Sequence, residues 1–538
     1  MKRSLFKFFQ SLWSPCTVLP HPKRHLASLV TTSYYEAINW GEQEVPEYFN
    51  FASDVLDEWA VVEKNGKRPR NPAFWWVNGH DEEVKWSFEE LSFLSQKAAN
   101  VLSGHCGLKR GDRILTILPR IPEWWLLTVA CMRAGTSQLT IKDIAYRLQA
   151  SKAKCIVVND TLAPGIDSIA AECKSLRTKL IVSDRGREGW LNFKDLLQEA
   201  PADVKCVKTK SQEPMLIYFT SGSTGSPKMV EHTHCSFGIG FTASGRHWMN
   251  LSPSDIFWNT SDTGWVKSAW SSVFAPWILG SCVFVHHLPR FEPEVILSTL
   301  ASYPITTFCT APTAYRMLVQ HDATSYKFKS LKHCVTGGEP LNPEVFELWK
   351  RQTGLDIYEG YGQTETVTIC SNIKGMKIKP GSLGKASPPY DVQILDALGN
   401  IQPPGEEGDI AIRIKPKRPF CMFTSYLDNP PKTKASERGG FYITGDRATK
   451  DEDGYIWFIG RSDDVINSAG YRIGPFEVES ALIEHPAVVE SAVVSSPDPV
   501  RGEVEFVQEL PKTPAGKIQR SVLRKREWGA GAKNKGGP

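Results

Sequence analysis

Short apolar runs alternate with stretches of helical spacing through the first 380 residues. Runs at 114–118, 155–158, 180–182, 215–219, 306–309 and 355–358 have the length and composition of buried strands. Between them, Ser87-Phe88-Glu89-Glu90 forms a capping box, and Leu91, Leu94, Ala98, Val101 and Leu102 continue it at helical spacing. Residues 123–132 read as a helix in which Trp124 and Trp125 are expected to be core packing. This alternation predicts an α/β fold with largely parallel sheets. Beyond Pro380 the texture changes. Runs at 392–395, 409–414, 440–444 and 455–459 are separated by Gly, Pro and Asp turns and predict a small β-rich part that completes the large one. After residue 462 a short tail of mixed β and α pattern predicts a small C-terminal domain.

Composition narrows the class without naming a chemistry. With 538 residues, 41% hydrophobic and 23% charged, the chain has the make-up of a soluble globular protein of more than one domain. The longest apolar stretch, near 273–285, is broken by Pro276 and Gly280 and is too short to span a membrane. Twelve cysteines stand singly with no CxxC pair, which suits a reducing compartment. The net charge of +4 belongs to the beginning of the chain, because Lys2, Arg3, Lys7, Lys23 and Arg24 precede the first acid, Glu36. Nothing therefore points to a nucleic-acid surface. Leu5, Phe6, Phe8, Phe9, Leu12 and Trp13 among those basic residues make residues 1–35 an amphipathic, transit-peptide-like leader. Residues 529–538, rich in Gly and Lys, are expected to be disordered.

One stretch carries candidate chemistry: Tyr218-Phe219-Thr220-Ser221-Gly222-Ser223-Thr224-Gly225-Ser226-Pro227-Lys228. An apolar strand opens into hydroxyls and glycines, where backbone N–H groups can converge on an anion and Lys228 adds charge. It is not a nucleotide P-loop, whose lysine follows glycine; here Pro227 precedes it. By itself the loop could equally be a turn.

The stretch resembles the phosphate loop of acyl-adenylate-forming enzymes. Four further motifs follow in the family's order: Tyr361-Gly362-Gln363-Thr364-Glu365-Thr366, Tyr442-Ile443-Thr444-Gly445-Asp446, Gly460-Arg461-Ser462-Asp463-Asp464 and Pro511-Lys512-Thr513-Pro514-Ala515-Gly516-Lys517. Asn71-Pro72-Ala73-Phe74-Trp75-Trp76-Val77-Asn78, Ile473-Gly474-Pro475 and His485-Pro486-Ala487-Val488 are similar to the mitochondrial medium-chain acyl-CoA synthetases in particular. The resemblance implies a large multi-sheet adenylation domain at 36–462 and a small α+β C-terminal domain at 463–528. It also implies two gaps. After Ala134-Gly135 the family continues into a short apolar strand that is missing here, and Val504 is joined directly to Glu505 where relatives carry a strand, a helix and a basic Tyr-containing loop. The small domain is therefore expected to be truncated, with a thin core.

The resemblance further implies a ligase that joins a medium-chain fatty acid to AMP, releasing pyrophosphate, and then to coenzyme A, in the mitochondrial matrix. Thr220, Ser221, Gly222, Ser223, Thr224, Gly225, Ser226, Pro227 and Lys228 would hold the β- and γ-phosphates. Glu359, Gly360, Tyr361, Gly362, Gln363 and Thr364 would line adenine and the α-phosphate, with Thr364 also touching the acyl carboxylate. Asp446 would accept from the ribose hydroxyls, as an ionised carboxylate can only accept. Arg461 would share the ribose or the phosphates, and Glu365 would hold Mg²⁺. Lys517 would be the catalytic cation at the carboxylate and α-phosphate. Asp463 would be the hinge, and Ala469, Gly470, Tyr471, Arg472 and Arg501 would receive coenzyme A. Acetate-activating relatives close the acyl pocket with a Trp where Gly362 stands, so a longer chain is expected to enter, with Trp265 as a candidate wall. The join at Val504-Glu505 leaves an alternative open: an adenylation-only or impaired variant that binds nucleotide and acyl group.

Overall fold

The computed structural model describes residues 29–80, 82–140, 144–222, 225–468, 471–483, 485, 488, 490–495, 507, 509–511 and 518–528. Two large sheets organise the chain. The first runs Ser425–Tyr426, Gly225–Thr233, Pro214–Gly222, Ser137–Thr140, Arg113–Ile117, Cys155–Asn159, Thr178–Val182, Leu191–Asn192. From Pro214–Gly222 to Leu191–Asn192 its pairs are parallel. The second runs Lys385–Ala386, Val367–Ser371, Ile357–Gln363, His333–Gly337, Thr307–Thr310, Ile256–Asn259, Cys282–His286, Phe74–Val77, Glu83–Trp86, parallel in its interior and antiparallel at both ends. A third, antiparallel sheet is built on the long strand Phe441–Lys450, which pairs with Gly408–Arg413, Glu437–Arg438 and Ile456–Arg461. Interior strands such as Cys155–Asn159 and Cys282–His286 are apolar runs buried along almost their whole length, as expected where helices cover both faces.

Helix Pro122–Ala134 is buried nearly all round and anchors the main core. Trp124 and Trp125 are fully buried, and the Trp125 indole N–H donates to Ser272 O at 2.9 Å. Arg133, on the same helix, is 1% exposed and compensated by Asp57, at 2.8 and 2.5 Å, and by Ser95 Oγ at 2.7 Å. Gly135 ends the helix in the left-handed region at φ 64°, where glycine carries no steric penalty.

The strand expected to be missing after Gly135 is present. Ser137–Thr140 fills the place between Arg113–Ile117 and Pro214–Gly222, pairing in parallel with both. An interior gap would strand the backbone donors and acceptors of both neighbours, so the next residues along the chain take the position. The replacement is polar: Thr136, Ser137 and Gln138 are buried, and the Gln138 amide nitrogen finds no partner among the described residues. An orphaned buried donor costs about 1–3 kcal/mol.

Helix Leu29–Asn39 begins inside the expected leader, and Tyr35 packs on Phe49 with ring centroids 5.7 Å apart. At the other end, Ile466–Ser468 and Tyr471–Ile473 form a two-stranded hairpin, followed by helix Pro475–Ile483 and, later, helix Arg520–Trp528. Among the described residues no Val, Leu, Ile, Met, Phe, Tyr or Trp beyond Ile456 is fully buried. The buried charged side chain there is Glu479, whose carboxylate takes Arg520 Nη2 at 2.5 and 2.6 Å and Val493 N at 2.8 Å.

Candidate active site

The phosphate-loop motif is a β-hairpin. Strands Pro214–Gly222 and Gly225–Thr233 pair antiparallel, Thr220 opposite Lys228 and Gly222 opposite Gly225, with a register shift between Thr220 and Gly222. Ser223 and Thr224 lie outside the described residues, and Ser221, Gly222, Gly225 and Ser226 are described by backbone alone. Pro227 and Lys228 are half-buried on the returning strand. The Lys228 ammonium lies 5.3 Å from the centre of the Tyr426 ring, a cation–π contact. Its pKa is depressed first by burial and then by Lys432, with Glu365 opposing.

The second motif closes on the hairpin. Strand Ile357–Gln363 pairs with Val367–Ser371, with a register shift between Tyr361 and Gly362. The acidic turn between them ends at Val367, whose φ of 63° is left-handed; for a β-branched residue that costs about 1–3 kcal/mol. Gly362 is fixed by the same turn, since a Cβ there would stand 1.8 Å from Val367 O. Its absence of a side chain thus has a backbone cause besides any effect on the acyl pocket. His232 ties the two motifs together: its Nε2–H donates to Thr364 O at 2.6 Å while Nδ1 lies 3.0 Å from Ser236 Oγ. Burial pushes its pKa down to about 3, so it acts as a neutral bracket.

The ribose candidate, Asp446, sits on Phe441–Lys450 at 6% exposure. Its Oδ2 accepts from the Tyr361 hydroxyl at 2.5 Å and from Gln363 Nε2 at 2.7 Å. Gln363 also donates to Thr444 O at 2.9 Å and accepts from the Tyr442 hydroxyl at 3.3 Å. Arg461, directly opposite Asp446 in register, places Nε 3.9 Å from Asp446 Oδ1 and 3.6 Å from Asp463 Oδ1. Burial works against its charge, but Asp446, Asp463 and Asp464 outweigh it and hold the guanidinium ionised.

Two carboxyls nearby differ in surroundings. Glu365 is buried, which raises its pKa, but the Tyr426 hydroxyl donates to it at 2.8 Å, and Lys228 and Arg461 favour its charge. Glu359 receives only the Leu341 N–H, at 3.2 Å, and burial pushes it up to about 8, so it is protonated at neutral pH. Trp265 precedes the short helix Val266–Ala269; it is half-buried and its indole nitrogen is unpartnered among the described residues. Beside it Lys267 donates to Thr310 O at 3.1 Å and Gly337 O at 2.8 Å, the C-terminal ends of two parallel strands. Ligands of open α/β sheets bind at such ends.

The fold thus brings Lys228, the 359–365 segment, Asp446, Arg461 and Asp463 into one cleft. Lys517, Ala469, Gly470 and Arg501 lie outside the described residues; Tyr471 and Arg472 are described by backbone only, in the hairpin beyond Asp463. Tyr426, Lys432, His232 and Lys267 were not anticipated from the sequence. Only the first two had a readable signal, since Asn429-Pro430-Pro431 marks a turn entering a helix.

These features define an AMP-binding enzyme. The AMP-binding enzyme family model matches residues 61–427, and the model of its C-terminal domain matches 477–505, stopping at the join. The human mitochondrial acyl-coenzyme A synthetase ACSM5 is 60% identical over 557 aligned positions, covering 95% of each chain. Human mitochondrial acyl-coenzyme A synthetase ACSM3 is 59% identical, covering 94% of this chain and 95% of that one. The chain belongs to this acyl-coenzyme A synthetase family. Because 557 aligned positions exceed its 538 residues, the relative carries residues with no counterpart here. Among solved structures, the anthranilate CoA ligase AuaEII in complex with anthranoyl-AMP superposes with a TM-score of 0.82 at 27% identity, covering 90% of this chain and 98% of that one. An acyl-CoA synthetase from Brucella canis gives 0.71 at 29%, covering 94% and 99%.

Proposed function

We propose that this chain is an ATP-dependent medium-chain fatty acid–CoA ligase of the mitochondrial matrix. The observation that carries the reading is the convergence of three motifs, around Lys228, Tyr361 and Asp446, on one set of charges that suits a nucleoside triphosphate. In the first half-reaction a carboxylate oxygen attacks the α-phosphorus, the new C–O–P link forms, and the bond to the β-phosphate oxygen breaks. Two anions must meet, so the demand on the protein is charge neutralisation and in-line placement. Lys228 and the hairpin amides hold the β- and γ-phosphates. Arg461 neutralises charge beside the ribose, and Asp446, oriented by Tyr361 and Gln363, accepts from the ribose hydroxyls. Thr364 lies at the acyl carboxylate, and Lys517 brings a movable cation to the carboxylate and α-phosphate. In the second half-reaction the coenzyme A sulfur attacks the acyl carbon, and the C–O bond to AMP breaks. Tyr471, Arg472 and Arg501 receive that cosubstrate after rotation about Asp463.

Glu365 fits a magnesium site of the kind that uses one protein carboxylate plus substrate phosphates. It is buried, accepts from the Tyr426 hydroxyl, and is close enough to Lys228 to feel its charge. Magnesium held there would shield the triphosphate. Similarity across 95% of the chain disfavours an adenylation-only variant. The test is to incubate the purified chain with ATP, Mg²⁺, octanoate and coenzyme A, following pyrophosphate and octanoyl-CoA together. Stoichiometric formation of both supports the ligase; pyrophosphate without thioester, or neither product across acyl lengths, refutes it.

A further inference from the structure

Beyond the hairpin lysine, the cleft holds a second cation with nothing to neutralise. Strand Ser425–Tyr426 is added to the outer edge of the phosphate hairpin, Tyr426 opposite Val230 and Ser425 opposite Glu231, and Leu427 N donates to Met229 O at 2.8 Å. The chain then turns at Asn429, whose side chain accepts from Lys432 N at 3.1 Å and so caps helix Pro430–Ala435. Thr433 locks that helix back onto the strand by accepting from Tyr426 N at 3.0 Å. Lys432 thus immediately precedes the residue bonded to Tyr426, whose ring carries the Lys228 ammonium.

The half-buried Lys432 makes no ion pair, side-chain hydrogen bond or ring contact among the described residues. That contrasts with other half-buried lysines: Lys154 lies 2.6 Å from Asp112 and Lys379 2.6 Å from Asp451. Lys228 likewise makes its aromatic contact but no ion pair or side-chain hydrogen bond among the described residues. Lys228 and Lys432 lie within each other's field, offset in part by Glu365 and Asp463, and together raise the local potential. A polyanion entering between them relieves it. The depressed pKa of Lys228, for which Lys432 is the largest cause after burial, agrees with that mutual repulsion.

We propose that Lys432 is a second phosphate-binding cation, sharing with Lys228 the terminal phosphates of ATP and the pyrophosphate they become. The inference rests on the ligase reading. Its test is calorimetric titration of the full chain with inorganic pyrophosphate and, separately, with AMP, for the wild type, Lys432→Gln and Lys432→Arg. Loss of the charge is expected to weaken pyrophosphate binding about tenfold, in the range of a charge-assisted contact. AMP, which lacks the terminal phosphates, should bind Lys432→Gln within about twofold of wild type, which also reports that the variant is folded. Lys432→Arg should retain most of the pyrophosphate affinity. Unchanged pyrophosphate binding by Lys432→Gln, with both ligands binding the wild type, overturns this inference and leaves the ligase reading standing. A wild-type chain that binds neither ligand overturns both.

Discussion

The nucleotide cleft and the C-terminal segment are held together by different forces. Around the cleft, the phosphate hairpin backs through Tyr218 onto the main apolar core of Trp124, Trp125 and Phe274, and Tyr361, Tyr426 and Tyr442 pack into a second apolar cluster with Ile369 and Ile456. Beyond residue 462, helix Pro475–Ile483 packs by its edge on Ile456–Arg461, Phe476 meeting Phe458 at 6.4 Å. Two polar contacts also cross to the large region, Asn342 with Ser480 at 2.8 Å and Arg316 with Glu490 at 3.8 Å, while Glu479 with Arg520 and Asp464 with Arg524 tie the segment to itself. A segment that must change its position against the cleft benefits from polar contacts, because these exchange for water at little net cost, whereas a buried apolar interface does not. The same choice leaves it dependent on a few charges.

Removing one partner of a buried ion pair separates the regions most sharply. Asp57→Ala strands the fully buried Arg133 and should destabilise the large region by about 3–5 kcal/mol, seen as a lower denaturant midpoint for the whole chain. Glu479→Ala makes the corresponding cut in the C-terminal segment and should leave that midpoint unchanged, while trypsin cleavage within residues 520–526 accelerates. A global loss of stability from Glu479→Ala would remove the distinction. Next in size, Lys517→Ala should lower pyrophosphate release about 100-fold or more without moving the unfolding midpoint. Tyr361→Phe deletes one of two donors to the same Asp446 oxygen and should weaken ATP binding about tenfold.

The smallest effect is one of slope. Glu359 keeps its proton in the fold up to about pH 8, whereas an unfolded glutamate loses it near the ordinary pKa of about 4.3. Between those values the native state binds the extra proton, so stability falls as pH rises, and it levels off above about 8. Glu359→Gln, which can still accept from Leu341 N, should match wild type near the bottom of that window and become progressively the more stable toward the top. Parallel pH profiles for the two proteins would contradict the buried, protonated carboxyl.

Much of this molecule could be read before its structure. The runs at 155–158, 215–219 and 392–395 became Cys155–Asn159, Pro214–Gly222 and Val392–Leu395, and the capping box at Ser87 opens helix Phe88–Asn100. Parallel strands buried on both faces leave a plain apolar signature, and caps act locally. Ser137–Thr140 was not legible because its residues are polar and only the neighbouring strands make it a strand. His232 and Lys267 were hidden: each bonds to residues far away in the chain, and an isolated His or Lys carries no mark of the neighbour it will meet. The family motifs supplied the carboxylates and the hairpin lysine; the supporting residues needed the fold.

The most direct test of the contrast is hydrogen exchange of the full chain across a urea series, with and without ATP. In the absence of ligand, amides of helix Arg520–Trp528 should exchange through an opening that costs far less than the one exposing Pro214–Gly222 and Ile357–Gln363. Added ATP should raise protection at 217–222 and 357–363. Equal opening free energies for the two regions, or ATP protection confined to the C-terminal segment, would contradict the account.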